Sequence, residues 1–106
     1  MAGSNRQVPI DLKRMRHVVE VARAEAITPA AETLSITQSA LSRSIAEVEH
    51  QLGVQLFHRV HRGVKLTEAG ERFVARAKRV LSDIDDLVAD VTTGGELGSC
   101  LLYTSD

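Results

Sequence analysis

The chain has 106 residues, of which 43% are hydrophobic and 25% charged, enough for one small domain with a single modest core and too few for two domains. Its formal net charge of −1 hides an asymmetry, because all 13 Lys and Arg lie between Arg6 and Arg79 while residues 80–106 carry six acids and no base, a split that suits a nucleic-acid-binding head with a differently tasked tail. One cysteine (Cys100), no apolar signal-peptide core at the N-terminus and no apolar run near the roughly 20 residues that cross a bilayer point to a cytoplasmic protein without an internal disulfide or a membrane partner.

Residues 1–10 are polar and aperiodic, and read as a flexible N-terminal arm. A helix is expected from Asp11, with Leu12, Met15, Val19, Ala22 and Ala26 stacked on one face and Val18 and Val21 widening the stripe. Thr28 before Pro29 signals a second start: the threonine oxygen can cap free N–H groups, and proline at the first helical position loses no hydrogen bond. The second helix then covers "PAAETL", short and rich in small residues. Thr37 is the next cap candidate and opens a third helix, whose buried stripe is Leu41, Ile45, Val48 and Leu52 and whose stop is Gly53. On its opposite side fall Ser39, Ser42, Arg43, Ala46 and His50.

The period then changes. In "VQLFHRVHRGVKLT", Val60, Val64 and Leu66 alternate with Arg59, His61 and Lys65 around a glycine-containing turn, the pattern of a short antiparallel hairpin, or wing. Thr67 can cap a fourth helix with Glu68 in its first turn. Along it Phe73, Ala77, Val80, Ile84, Leu87 and Val91 form a heptad seam over a helix about 36 Å long, more than a compact head requires. Residues 92–106 read as a hinge followed by the opening of a strand that has no partner here. The expected fold class is therefore mainly α: a winged helix-turn-helix over residues 11–66 (three helices plus a β-hairpin wing), then a long linker or dimerisation helix over 67–91.

A short helix, a tight turn and a longer helix with a small, polar outer face make a pattern in which the second helix of the pair can enter a DNA major groove. Arg can donate twice to a guanine edge, Gln can pair with adenine, and Ser can donate or accept, while acids would repel phosphate. No Asp or Glu occurs from His50 to Thr67, and Arg59, Arg62 and Lys65 punctuate the wing. A basic loop beside such a helix can contact flanking phosphates or place Arg in a minor groove.

On these residues the chain closely resembles a family. "LSITQSALSRSIAEVEHQLGVQLFHRVHRGVKLTEAG", Leu34–Gly70, is similar to the DNA-binding signature of LysR-type bacterial transcriptional regulators, with "TQSALSRSI", "LGVQLF", the Arg59 and Arg62 pair and "LTEAG" in order and at the family spacing. The resemblance reaches back to Met15 and forward through the fourth helix. It implies sequence-specific binding of double-stranded DNA, with base or backbone contacts from Thr37, Gln38, Ser39, Ser42 and Arg43, a phosphate contact from Thr28 and a minor-groove contact from Arg62. The distal seam needs a partner helix and so predicts a homodimer through Val80, Ile84, Leu87 and Val91 on an inverted-repeat operator; the resemblance likewise implies a paired linker helix, a tetrameric assembly of the intact protein, and a small-molecule effector bound only through a domain that would follow residues 92–106. Ser39 departs from a common proline, Ala26 from a usual serine and Pro29 from a polar or basic residue.

Other readings compete at single positions. Gln38 can serve packing or capping, and Arg59 can pair with Glu47 or Glu49 instead of a phosphate. His58 and His61, with His50 upstream, invite a metal reading, but an odd separation in a hairpin sets the two rings on opposite faces and no Cys or carboxylate lies close by in sequence, so no metal and no cofactor are expected. An enzyme is not expected either, since the chain offers no phosphate-binding glycine loop, no nucleophile beside a base and no paired carboxylates in an apolar setting. The alternative function is a winged-helix protein-interaction and oligomerisation module, which would carry exposed aromatic or large apolar anchors on the third helix; none stands on its outward face.

Overall fold

A computed structural model describes residues 10–92. Along them run helix α1 (Leu12–Ala24), α2 (Ile27–Leu34), α3 (Gln38–Leu52), strands β1 (Phe57–Val60) and β2 (Gly63–Leu66), and helix α4 (Glu68–Thr92). The order is that of a winged helix-turn-helix followed by a long helix, as the sequence patterns predict.

Local chemistry accounts for most boundaries. Asp11 caps α1 by accepting the Arg14 N–H at 2.8 Å, and Thr37 caps α3 by accepting the Ala40 N–H at 3.0 Å; each satisfies a donor that the first helical turn leaves free. Gly53 closes α3 in the left-handed region at φ 74°, where a residue without Cβ is least strained. Thr67 works in two directions: its hydroxyl accepts the Gly70 N–H at 3.0 Å at the start of α4 and donates to the Gln55 carbonyl at 2.6 Å. The end of the wing is thereby tied to the loop that begins it.

The start of α2 differs from the sequence expectation. Ala26, not Thr28, is the N-cap, and it supplies no side-chain hydrogen bond; Thr28 and Pro29 are the second and third helical residues. Proline fits there because N–H groups throughout the first turn lack intrahelical acceptors. The start is set from upstream, where Glu25 takes the left-handed conformation at φ 61° and ends α1.

The α1 stripe is also rotated from expectation. Val18 and Val21 are fully buried, Met15, Val19 and Ala22 only half-buried, and Leu12 is exposed. A helix clasped by α2, α3 and α4 together buries a broader arc than one amphipathic stripe. The core joins Val18 and Val21 to Ala30 and Ala31 of α2, Leu41, Ile45 and Val48 of α3, Leu56 and Phe57 at the entry to the wing, and Val74 of α4. In α3 the predicted stripe is buried except for Leu52, which is exposed.

The hairpin pairs Phe57 with Leu66, His58 with Lys65, Arg59 with Val64 and Val60 with Gly63, leaving His61 and Arg62 as the turn. His61 is thus a tip residue, outside the strand alternation expected for it. On α4 the residues buried against the head are Gly70, Val74, Ala77 and Leu81. This stripe lies beside the predicted seam and shares only Ala77 with it. Phe73 and Ile84 are half-buried, while Val80, Leu87, Val88 and Val91 are exposed. No helix among the described residues is long and apolar enough to cross a membrane.

Candidate nucleic-acid interface

Three elements converge on one side of the head. The first turn of α2, the first two turns of α3 and the inner face and tip of the wing enclose an open groove of about 430 Å³, lined by Ala26, Ile27, Thr28, Gln38, Ser42, Arg59, Val60, His61, Arg62, Gly63 and Val64. The lining holds two arginines and no acid. A second hollow of about 390 Å³ shares Ile27, Ser42, Arg59 and Val64 with it and continues between α3 and β1.

The structure therefore gathers Thr28, Gln38, Ser42, Arg59 and Arg62 around a common groove. Thr37, Ser39 and Arg43 do not line it; they stand exposed on the N-terminal part of α3 beside it. Thr37 has its hydroxyl oxygen engaged as a cap, which leaves its O–H free to donate outwards. Gln38 is exposed, so it is not a packing residue. Arg59 stands on the wing face that turns towards α3, because cross-strand partners share a face and its partner Val64 lines the same groove. Lys65 stands apart: it lies outside the groove lining and its Nζ is 3.4 Å from Glu25 Oε2.

The two carboxylates that the sequence offers to Arg59, Glu47 and Glu49, have other partners. Glu49 Oε2 accepts the backbone N–H groups of Leu56 at 2.7 Å and Phe57 at 3.1 Å, and Glu47 accepts from Gln51 Nε2 at 2.6 Å. Among the described residues Arg43, Arg59 and Arg62 form no ion pair, so their charge is available to an anion. His58 on β1 and His61 at the tip are both exposed, and among the described residues no group of three His, Cys, Asp or Glu is gathered to hold a metal.

Three supporting contacts carry no sequence signature. Glu49 ties the C-terminal part of α3 to the start of the wing, but nothing in "AEVEHQLG" distinguishes it from Glu47. His17 of α1 is buried and sits 2.7 Å from the Ser44 hydroxyl through Nδ1, fixing α1 against α3 one residue from Arg43. Burial pushes its imidazole below the ordinary value, Lys13 and Arg14 lower it further, and Asp11 opposes them. The third contact joins Glu25 to the wing.

Comparison with known proteins fits this geometry. The family model for bacterial regulatory helix-turn-helix proteins of the lysR family matches residues 12–71. The chain is 42% identical over 82 residues to the uncharacterised HTH-type transcriptional regulator YcgK of Bacillus subtilis, covering 77% of this chain and 25% of that protein. It is 44% identical over 73 residues to the HTH-type transcriptional regulator BudR of Klebsiella aerogenes, covering 69% and 51%. It thus spans about a quarter to a half of the length of these relatives. Among solved structures, the BenM DNA-binding domain in complex with benA site 1 DNA superposes with a TM-score of 0.76 at 37% identity, covering 79% of this chain and 98% of that one. With the family model matching more than half of its residues on a winged helix-turn-helix scaffold, the chain belongs to the lysR family of bacterial regulatory helix-turn-helix proteins.

Proposed function

We propose that this chain is a DNA-reading head that binds double-stranded DNA sequence-specifically as part of a LysR-type transcriptional regulator, with α3 in the major groove and the wing on the backbone and an adjacent minor groove. One observation carries the reading: the exposed face of α3 and the groove beside it present Gln38, Ser39, Ser42, Arg43, Arg59 and Arg62 with no carboxylate among them. Arg43 and Gln38 are the base readers, since each can make two hydrogen bonds to a base edge. Ser39 and Ser42 supply single bonds and allow close approach. Thr28, on the first turn of a helix whose N-cap brings no side-chain hydrogen bond, meets a phosphate together with that turn's free N–H groups. Thr37 donates to the backbone, Arg59 and Arg62 reach along the wing, and Lys65 adds charge when it leaves Glu25. Recovery of a common sequence from a random duplex pool, bound with a steep salt dependence, tests the reading; binding that ignores both sequence and salt refutes it.

The same reading makes the chain a homodimer through residues 67–91, with Val80, Ile84, Leu87 and Val91 at the seam. In support, Leu87 is 57% and Val91 67% exposed, beyond the head's own core. An open apolar groove of about 430 Å³ lined by Ile10, Met15, Leu52, Val54, Phe73 and Val80, among others, is continuous with that seam. Two heads so joined favour an inverted-repeat site, because a twofold protein axis is mirrored in DNA half-sites.

A further inference from the structure

The left-handed residue that ends α1 also governs the wing. Glu25 has φ 61°, a conformation usually left to glycine or asparagine because Cβ crowds the following carbonyl. It directs the Glu25 carbonyl oxygen to the outer edge of β2, where it accepts the Val64 N–H at 3.0 Å. That N–H is free to bond outwards because hydrogen-bonded and non-bonded pairs alternate in an antiparallel ladder, and the Arg59–Val64 pair lies between His58–Lys65 and Val60–Gly63. Gly63 permits the approach: at φ 134°, a Cβ there would stand 2.2 Å from the Glu25 carbonyl oxygen and 3.7 Å from Ala26 Cβ. The Glu25 carboxylate then holds Lys65 at 3.4 Å. Backbone, glycine and side chain thus fasten one edge of the wing to the residue before α2.

We propose that Glu25 is the positioning residue of the wing, stapling β2 to the entrance of α2 so that Arg62 at the tip is held at a set distance from the reading face of α3. The inference rests on the DNA-binding reading above. Two strands of four residues form only a marginal unit by themselves. The hairpin is anchored by Phe57, which is buried, and by Leu66 and Val64, which pack against the core, whereas Val60, His61 and Arg62 at its far end are exposed. The Glu25–Val64 bond fixes the far half. Without it the tip would sample several angles, and ordering it on DNA would cost part of the affinity it brings. Base reading by α3 would be untouched.

Two variants remove the staple by different routes. Gly63→Ala places a methyl group against the Glu25 carbonyl, and Val64→Pro deletes the donor at an edge position that tolerates proline because its N–H points away from the ladder; since it also removes a side chain that packs against the core, Val64→Ala, which keeps the donor, is its reference and should retain the wild-type length preference. In the free wild-type chain, the Val64 amide should exchange at least about tenfold more slowly than that of Arg62. For binding, the probes are a short duplex carrying the sequence recovered by selection and the same duplex lengthened by one turn on the wing side. Wild type should prefer the longer duplex by about tenfold; in both variants that ratio should fall to about twofold, while discrimination between selected and base-substituted cores stays as in wild type. An unprotected Val64 amide, or variants that keep the full length preference, would overturn the inference. Failure of the wild type to bind either duplex would instead refute the DNA reading, and the exchange measurement then decides the staple by itself.

Discussion

Replacing Arg43 with alanine separates reading from mere attraction. Arg43 is exposed on α3 and forms no ion pair among the described residues, so nothing in the free protein compensates its charge and little structure depends on it; Arg43→Ala should change unfolding stability by no more than about 0.5 kcal/mol. A bidentate contact to one base pair contributes about 1–3 kcal/mol of discrimination, or roughly 5- to 150-fold in affinity on the selected site, with a much smaller loss on a scrambled duplex. Lys65 provides the contrast. Its ammonium is 3.4 Å from Glu25, and both side chains are more than half exposed, so the pair contributes only about 0.2–1 kcal/mol, which a phosphate can outbid. Lys65→Ala should therefore weaken selected and scrambled duplexes alike and lower the salt slope by up to about one unit, the value for a full phosphate contact. Fluorescence anisotropy isotherms on both duplexes at four salt concentrations give slopes and ratios together. If Arg43→Ala leaves the preference between duplexes as in wild type, α3 is not the reading helix and the assignment fails.

Ile84→Asp would place a charge in the half-buried part of the α4 seam, and burying it unpaired costs more than a short helix pair supplies; sedimentation should show a folded monomer that retains only half-site binding, and a variant that stays dimeric would remove the seam from the interface. Gly70→Ala should destabilise the chain by about 1–3 kcal/mol, since its Cβ would lie 2.0 Å from the Leu56 carbonyl oxygen. Helix propensity alone predicts the opposite sign, about 1 kcal/mol in favour of alanine, so denaturant titration distinguishes the two. For His17 the folded value lies below the ordinary 6.5, so protonation favours the unfolded chain: stability is whole above about pH 6.5 and declines as pH falls from there towards the folded value. His17→Gln keeps a partner for Ser44 without titrating, so its stability deficit relative to wild type should shrink between pH 7.5 and pH 5; a constant gap in thermal melts would argue against a neutral buried imidazole.

Much of this protein follows from local sequence. Caps at Thr37 and Thr67, the stop at Gly53, the 4-3 spacing of Leu41, Ile45 and Val48, and the switch to period two before "HRG" each arise from interactions within a few residues, and all are found in the structure. Ser39, Ser42 and Arg43 were legible for the same reason, since once the buried stripe is known helix geometry places the opposite face; Thr37 and Gln38 as candidate contacts rested on the family resemblance. What tertiary structure alone decided are relations between residues distant in sequence. The start of α2 at Ile27 depends on the left-handed Glu25, and the buried arc of α1 on three partners at once. His17 finds Ser44 from 27 residues away, and Glu25 finds Lys65 from 40. Gly63 illustrates the division best: the sequence assigns it to a turn, where its freedom of φ suffices, but in the structure a Cβ there would run into the carbonyl of Glu25. No periodicity announces such a contact, because it exists only when α1, α2 and the wing have packed.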